Sequence, residues 1–111
     1  MVRGRRLSPQ TVAVLVRLGA AGAGWSHGYE LCRGLGLKAG TVYPILMRLA
    51  ERGLVETAWE TSPPRGRPAR HLYRLTAAGG ELAATAAAEA AEAERDRAAG
   101  SRPARLAPGT A

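Results

Sequence analysis

The sequence contains no Phe, one Cys, one Lys and only five aromatic side chains, Trp25, Tyr29, Tyr43, Trp59 and Tyr73. A single cysteine, Cys32, excludes an intramolecular disulfide framework and leaves no Cys cluster for zinc, which fits a reducing compartment. The two histidines, His27 and His71, have no metal-ligand spacing with Cys32, so no metal site is expected. No apolar run approaches the ~20 residues of a membrane span. The opening MVRGRRLSPQ has charge but no apolar stretch like that of a signal peptide, and the expectation is a soluble, cytoplasmic protein. Catalytic constellations are missing too. The GLG at 34–36 falls between helices rather than after a strand, so it is no phosphate-binding fingerprint. Carboxylates cluster only in EAAEAERD, where helical spacing makes a solvated face. Neither an enzyme nor a cofactor is expected.

What is present is alanine and arginine. Hydrophobic residues make up 46% of the 111, but many are Ala, so the chain can build one small core that would gain from a partner chain. The formal net charge is +7. Residues 1–75 hold twelve basic and four acidic side chains, a balance of +8, whereas residues 76–111 hold four and five, a balance of −1. A polyanion is the first partner such a field suggests. Fifteen Arg to one Lys is also what a GC-rich coding sequence produces, so placement has to decide.

Ser8-Pro9 is a helix start, a capping hydroxyl followed by a proline whose missing N–H costs nothing at the first helical position. The helix from Gln10 to Ala21 is apolar nearly all round through Val12, Val14, Leu15, Val16 and Leu18, which predicts burial on more than one side. A monomer is expected to leave Val14 or Leu18 facing water, and this motivates a dimer. After the break at 22–25, Ser26 is the next cap and His27 to Leu35 a short second helix. GLGL at 34–37 makes a turn. In GTVYPILMRLAERGLVE, residues 40–56, Val42, Ile45, Leu46 and Leu49 form a core stripe about 100° wide. The other face carries Gly40, Thr41, Pro44, Met47, Arg48 and Glu51, with Tyr43 on its flank. Pro44 disfavours helix at Tyr43 and is expected to kink or delay the first turn. Gly53 ends the helix. Leu54–Trp59 and Arg70–Leu75 alternate as strands, joined by the long ETSPPRGRPAR loop. Thr76 caps a last, alanine-rich helix running to about Ala98.

Three helices followed by a hairpin is the winged helix-turn-helix arrangement. The fold class expected is therefore mainly α with a small β-hairpin, a winged helix-turn-helix plus a C-terminal dimerisation helix. The domain limits are a flexible basic arm at 1–7, the winged domain at 8–75, the dimerisation helix at 76–98 and a disordered tail at 99–111. A helix-turn-helix puts the N-terminal part of its second helix in the major groove. Thr41 can then reach a phosphate or a thymine methyl, Tyr43 can donate from its hydroxyl, Arg48 can take a phosphate or guanine, and Pro44 offers shape. The loop arginines Arg65, Arg67 and Arg70 suit phosphates or a minor groove.

HGYEL at 27–31, GTVYPILMRLAERGLV at 40–55 and GRPARHLYRLTAAGGELA at 66–83, in that order and separation, resemble the PadR family of bacterial transcriptional regulators. The resemblance covers about residues 8–98. It implies a dimeric winged-helix repressor that binds double-stranded DNA at a pseudo-palindromic operator, dimerises through its first and last helices, and responds to small phenolic or hydrophobic effectors. Carried over by position, recognition falls to Thr41, Tyr43, Pro44 and Arg48, and the wing to Arg65, Arg67 and Arg70. Where the family often has a Ser-Pro cap, this chain has Lys38-Ala39, so the recognition helix starts uncapped and Lys38 is a phosphate-contact candidate. The alanines of the last helix bury little area. Trp25 and Trp59 are expected in the core, with Trp59 the candidate ligand-stacking residue if a cleft near the dimer exposes it. Two other classes stay open at this point, a winged-helix protein-interaction module and a small basic RNA-associated protein.

Overall fold

The structure, a computed structural model, describes residues 7–101. Residues 1–6 of the expected arm and 102–111 of the expected tail lie outside the described residues, whereas Leu7 packs against the core and residues 99–101, expected in the disordered tail, continue the last helix. Four helices and three short strands follow one another as α1 Pro9–Ala20, β1 Ser26–His27, α2 Gly28–Leu35, α3 Ala39–Glu51, β2 Val55–Trp59, β3 His71–Leu75 and α4 Ala77–Ser101. The strands form one antiparallel sheet in the order β1-β3-β2.

The local start and stop signals act as the chemistry of caps requires. Ser8 Oγ accepts the Thr11 amide at 3.1 Å with Pro9 in the first turn of α1. Gly36, at φ +67°, closes α2, and Gly53, at φ +74°, follows the C-cap of α3, so both provide the left-handed backbone that stops a helix. Thr76 works twice. Its Oγ1 accepts the Gly79 amide at 3.0 Å and donates to the Gly53 carbonyl at 2.8 Å, which caps α4 and ties it to the end of α3. No side chain caps α3 at Lys38. Pro44 does not interrupt α3, which runs continuously through it. The carbonyl deprived of a helical partner by the missing N–H belongs to exposed Gly40, where water can satisfy it.

Ser26 does not cap α2. Ser26 and His27 are instead strand β1, paired with Tyr73 and Leu72, and α2 begins after His27 without a side-chain cap. The partner that turns this dipeptide into a strand lies far along the chain, so no local signal marks it.

Val14, Leu15 and Leu18 of α1, Leu31 of α2, Val42, Ile45, Leu46 and Leu49 of α3, Val55, Tyr73 and Ala83 make one core cluster. Full burial of each Leu, Ile or Val contributes about 1.5–3 kcal/mol. The expectation that a single chain would expose Val14 or Leu18 is overturned, since both are at most 1% exposed. The large apolar side chain of α1 that does face outward is Val16, 39% exposed. It borders an apolar groove of about 470 Å³ between α1 and the start of α4, lined also by Gly19, Leu75, Gly80, Ala83 and Ala84. From Ala87 to Gly100 every residue of α4 is exposed. No helix among the described residues is long and apolar enough to cross a membrane.

Candidate nucleic-acid interface

The four stripe residues Val42, Ile45, Leu46 and Leu49 are at most 4% exposed, which fixes the rotation of α3 and turns Pro44, Met47, Arg48 and Glu51 outward. Arg48 and, one residue past the helix, Arg52 are exposed, and neither side chain makes a hydrogen bond or ion pair among the described residues. Lys38 is equally exposed at the N-cap, and Thr41 is half-buried. The outer side of α3 therefore presents Lys38 and a hydroxyl at its start, apolar contact midway and two arginines at its C-terminal end, the set that phosphates and base edges accept.

Tyr43 is less free than its position suggests. Its ring rests on Gly28 at the start of α2 and lies 6.4 Å from the Tyr73 ring of β3. Ring contacts continue along the sheet, with Tyr73 4.7 Å from His71 and His71 stacked on Trp59 at 4.4 Å and 8°. The Tyr73 hydroxyl and His71 Nδ1 are hydrogen-bonded at 3.0 Å. Burial pushes the Tyr73 hydroxyl pKa up, with nearby Tyr43 adding to it. This row of rings connects the outward helix α3 to the β2–β3 hairpin. The core expectation for Trp59 is overturned, because it is 61% exposed at the loop end of the hairpin, opposite to the end that leads into α4. It borders neither the α1/α4 groove nor the hollow beside Trp25. Trp25 is also partly exposed, with the Arg74 guanidinium 4.2 Å above its ring and Arg74 Nε 3.2 Å from Glu56.

The three loop arginines have three different surroundings. Arg65 is exposed beside Gly66, whose φ of +81° turns the chain, and it makes no ion pair among the described residues. Arg67 Nη2 lies 3.0 and 3.1 Å from the two carboxylate oxygens of Glu60. Arg70 reaches across the sheet, its Nη1 2.9 Å from His27 Nε2, while its backbone N–H donates to Glu60 Oε1 at 3.2 Å. The hydrogen bond from Arg67 holds the Glu60 carboxyl below the usual carboxylate range, helped by the Arg70 amide and opposed by partial burial. Sequence reasoning gave Glu60 no role. The available signal was its being the only carboxylate in a loop with three arginines. Nothing local pointed to His27 as the partner of Arg70.

The model of the PadR-like transcriptional regulator family matches residues 18–85, more than half of the chain. The chain belongs to this family. Its fold also matches solved structures of such regulators. A probable transcriptional regulator from Pseudomonas aeruginosa is 30% identical over 96% of this chain and 77% of its own, with a TM-score of 0.68. A PadR-like transcription factor from Bacteroides fragilis is 22% identical over 78% of this chain and 84% of its own, at TM-score 0.62. The MepR protein of S. aureus, solved as a DNA complex, is 17% identical over 94% of this chain and 74% of its own, at TM-score 0.71, and shows the winged-helix fold. No curated protein matches the chain in sequence. Family membership makes this a winged-helix transcriptional regulator, with α2 and α3 as its helix-turn-helix and the β2–β3 hairpin as its wing.

Proposed function

We propose that this regulator is a repressor that binds a pseudo-palindromic operator as a two-fold dimer and is released by a small hydrophobic or phenolic effector. The observation that carries the reading is the outer side of α3, where Lys38, Arg48 and Arg52 stand exposed and without acidic partners among the described residues, on and beside a helix whose opposite stripe is buried. In this reading Thr41 and Arg48 contact base edges, Pro44 and the open edge of Tyr43 supply shape, Lys38 takes a phosphate, and Arg65 contacts sugar-phosphate from the wing. Arg70 keeps nitrogens beyond its His27 contact for a second phosphate, and Arg67 belongs to the wing as well. The DNA-bound MepR relative supports the nucleic-acid part. NadR, solved with 4-hydroxyphenylacetate and 21% identical at TM-score 0.64, motivates the effector.

The dimer in this proposal seats α4 of a second copy against the groove beside Val16, since the open apolar groove is lined by small side chains that let an alanine-rich helix approach closely. Recognition helices in such a dimer lie about one DNA turn apart, roughly 34 Å. A gel shift with the DNA upstream of the protein's own gene, run over a salt series, tests the reading. Discrete complexes poorly competed by random duplex or RNA are expected. No binding even at low salt would remove DNA and favour a protein-interaction role.

A further inference from the structure

The wing carries a carboxylate on a surface whose proposed ligand is a polyanion. Glu60 follows the exposed Trp59 at the mouth of the loop, and three contacts converge on that one residue's side chain. Arg67 Nη2 meets Oε1 at 3.0 Å and Oε2 at 3.1 Å, and the Arg70 amide donates to Oε1 at 3.2 Å. Its main chain closes the same ring, the Glu60 N–H donating to the Arg70 carbonyl at 2.9 Å. Inside the ring, the Arg67 amide donates to the Pro64 carbonyl at 3.2 Å, and Arg67 Nη1 to the Pro68 carbonyl at 3.3 Å. Arg67 is thus committed on both sides to the loop itself. Arg65, two residues earlier, is the loop arginine whose guanidinium is unengaged among the described residues.

Resting on the DNA-binding reading above, we infer that Glu60 is a positioning residue of the wing: it brackets the loop through Arg67 and the Arg70 amide, and so presents Arg65 to the sugar-phosphate backbone. Arg67 is its counter-ion and not itself a phosphate ligand. The physical ground is the cost of ordering. A long loop loses conformational entropy when a duplex fixes it, and a loop already held by charge-assisted hydrogen bonds has lost most of that freedom before binding. The lowered pKa of Glu60 agrees with this geometry.

A simple charge argument makes the opposite forecast, which gives a clean test. If Arg67 served phosphates and Glu60 merely repelled them, Glu60→Gln would tighten duplex binding and Arg67→Gln would weaken it. The bracket predicts that both variants weaken binding, each by roughly 3- to 10-fold on a mixed-sequence 30-base-pair duplex. The experiment has a protein-only arm and a DNA arm. In the first, the Arg70 amide resonance follows the titration of Glu60 in the native chain and stops doing so in Glu60→Gln, and trypsin cuts the Arg65–Gly66 bond faster in both variants. In the second, fluorescence anisotropy at several salt concentrations reads affinity and slope for the native chain, both variants and Arg65→Ala. Unchanged cleavage and an Arg70 amide blind to Glu60 would overturn the bracket. Faster cleavage with equal or tighter duplex binding by Glu60→Gln would overturn its positioning role. If the native chain binds no duplex at low salt, the DNA reading fails instead, and the protein-only arm still decides whether the bracket exists.

Discussion

The ring of Tyr43 sits on Gly28, and a Cβ at position 28 would fall 2.5 Å from Tyr43 Cε1 and Cζ. This contact joins the first residue of α2 to the outward helix α3, and a side chain at position 28 would hold the two apart. An alanine inside a helix is normally worth ~1 kcal/mol over glycine. Here the overlap should reverse the sign, because the Tyr43 ring has to shift to make room. Gly28→Ala is expected to destabilise the protein by about 1–3 kcal/mol in thermal or urea unfolding, and unchanged stability would mean that the ring moves freely.

Gly79 and Gly80 are neighbours in the first turns of α4 with opposite expectations. A Cβ on Gly79 would run into the Leu54 carbonyl, a backbone obstacle that cannot rotate away, whereas one on Gly80 meets nothing within 4 Å. Gly79→Ala should cost more than 2 kcal/mol, about what overpacking against fixed atoms costs. Gly80→Ala should be neutral or stabilise by up to ~1 kcal/mol in denaturant unfolding at low protein concentration.

Arg48→Ala is expected to keep the fold, since the α3 core stripe is untouched, and to lower operator affinity by ~1–3 kcal/mol with the loss concentrated at one base pair. Thr41→Ala should behave in the same way to a smaller extent. A uniform loss on every duplex, with the salt slope flatter by ~1, would reassign Arg48 to a phosphate.

Two groups set opposite pH limits. Glu60 ionises more readily in the fold than in the unfolded chain, so its contribution is complete above the ordinary carboxylate pKa and disappears as pH falls through its lowered value. The stability difference between the native chain and Glu60→Gln should therefore vanish on acidification. Tyr73 holds its proton more tightly in the fold, and that contribution is complete below the ordinary tyrosine value of 10.0 and lost as pH rises through the raised one. Tyr73→Phe should weaken the alkaline loss of stability.

For the proposed dimer, sedimentation at micromolar concentration should give twice the chain mass. Val16→Asp places a charge in the groove beside α4 without touching Val14, Leu15 or Leu18. It should yield a folded monomer with weakened operator binding. A native chain that sediments as a monomer would sink the two-fold arrangement.

Most of the fold was legible because its signals are local. Ser8 with Pro9, Thr76, and the glycines after α2 and α3 act on groups within four residues, and the Val42–Leu49 stripe follows from helical period alone. The outward face of α3 was legible for the same reason. The wing was legible as composition only: Pro, Gly and Arg mark a basic loop, but the sequence does not say which arginine is spent inside it.

By itself, then, the sequence determined the order of the four helices and the β2–β3 hairpin, where α1 and α4 begin, where α2 and α3 end, and that the cationic charge lies ahead of the last helix. The tertiary structure decided matters that depend on partners distant along the chain. Pairing with β3 made Ser26-His27 a strand instead of a cap, and the side chain that took up Arg70 lies 43 residues away at His27. Packing by α3 and α4 buried α1 faces that looked destined for a second subunit, leaving Val16 outside. Both tryptophans came to the surface because aliphatic side chains close-packed the interior without them. Burial and charge pairing are three-dimensional quantities, and a one-dimensional pattern fixes them only where the interacting groups are also neighbours in sequence.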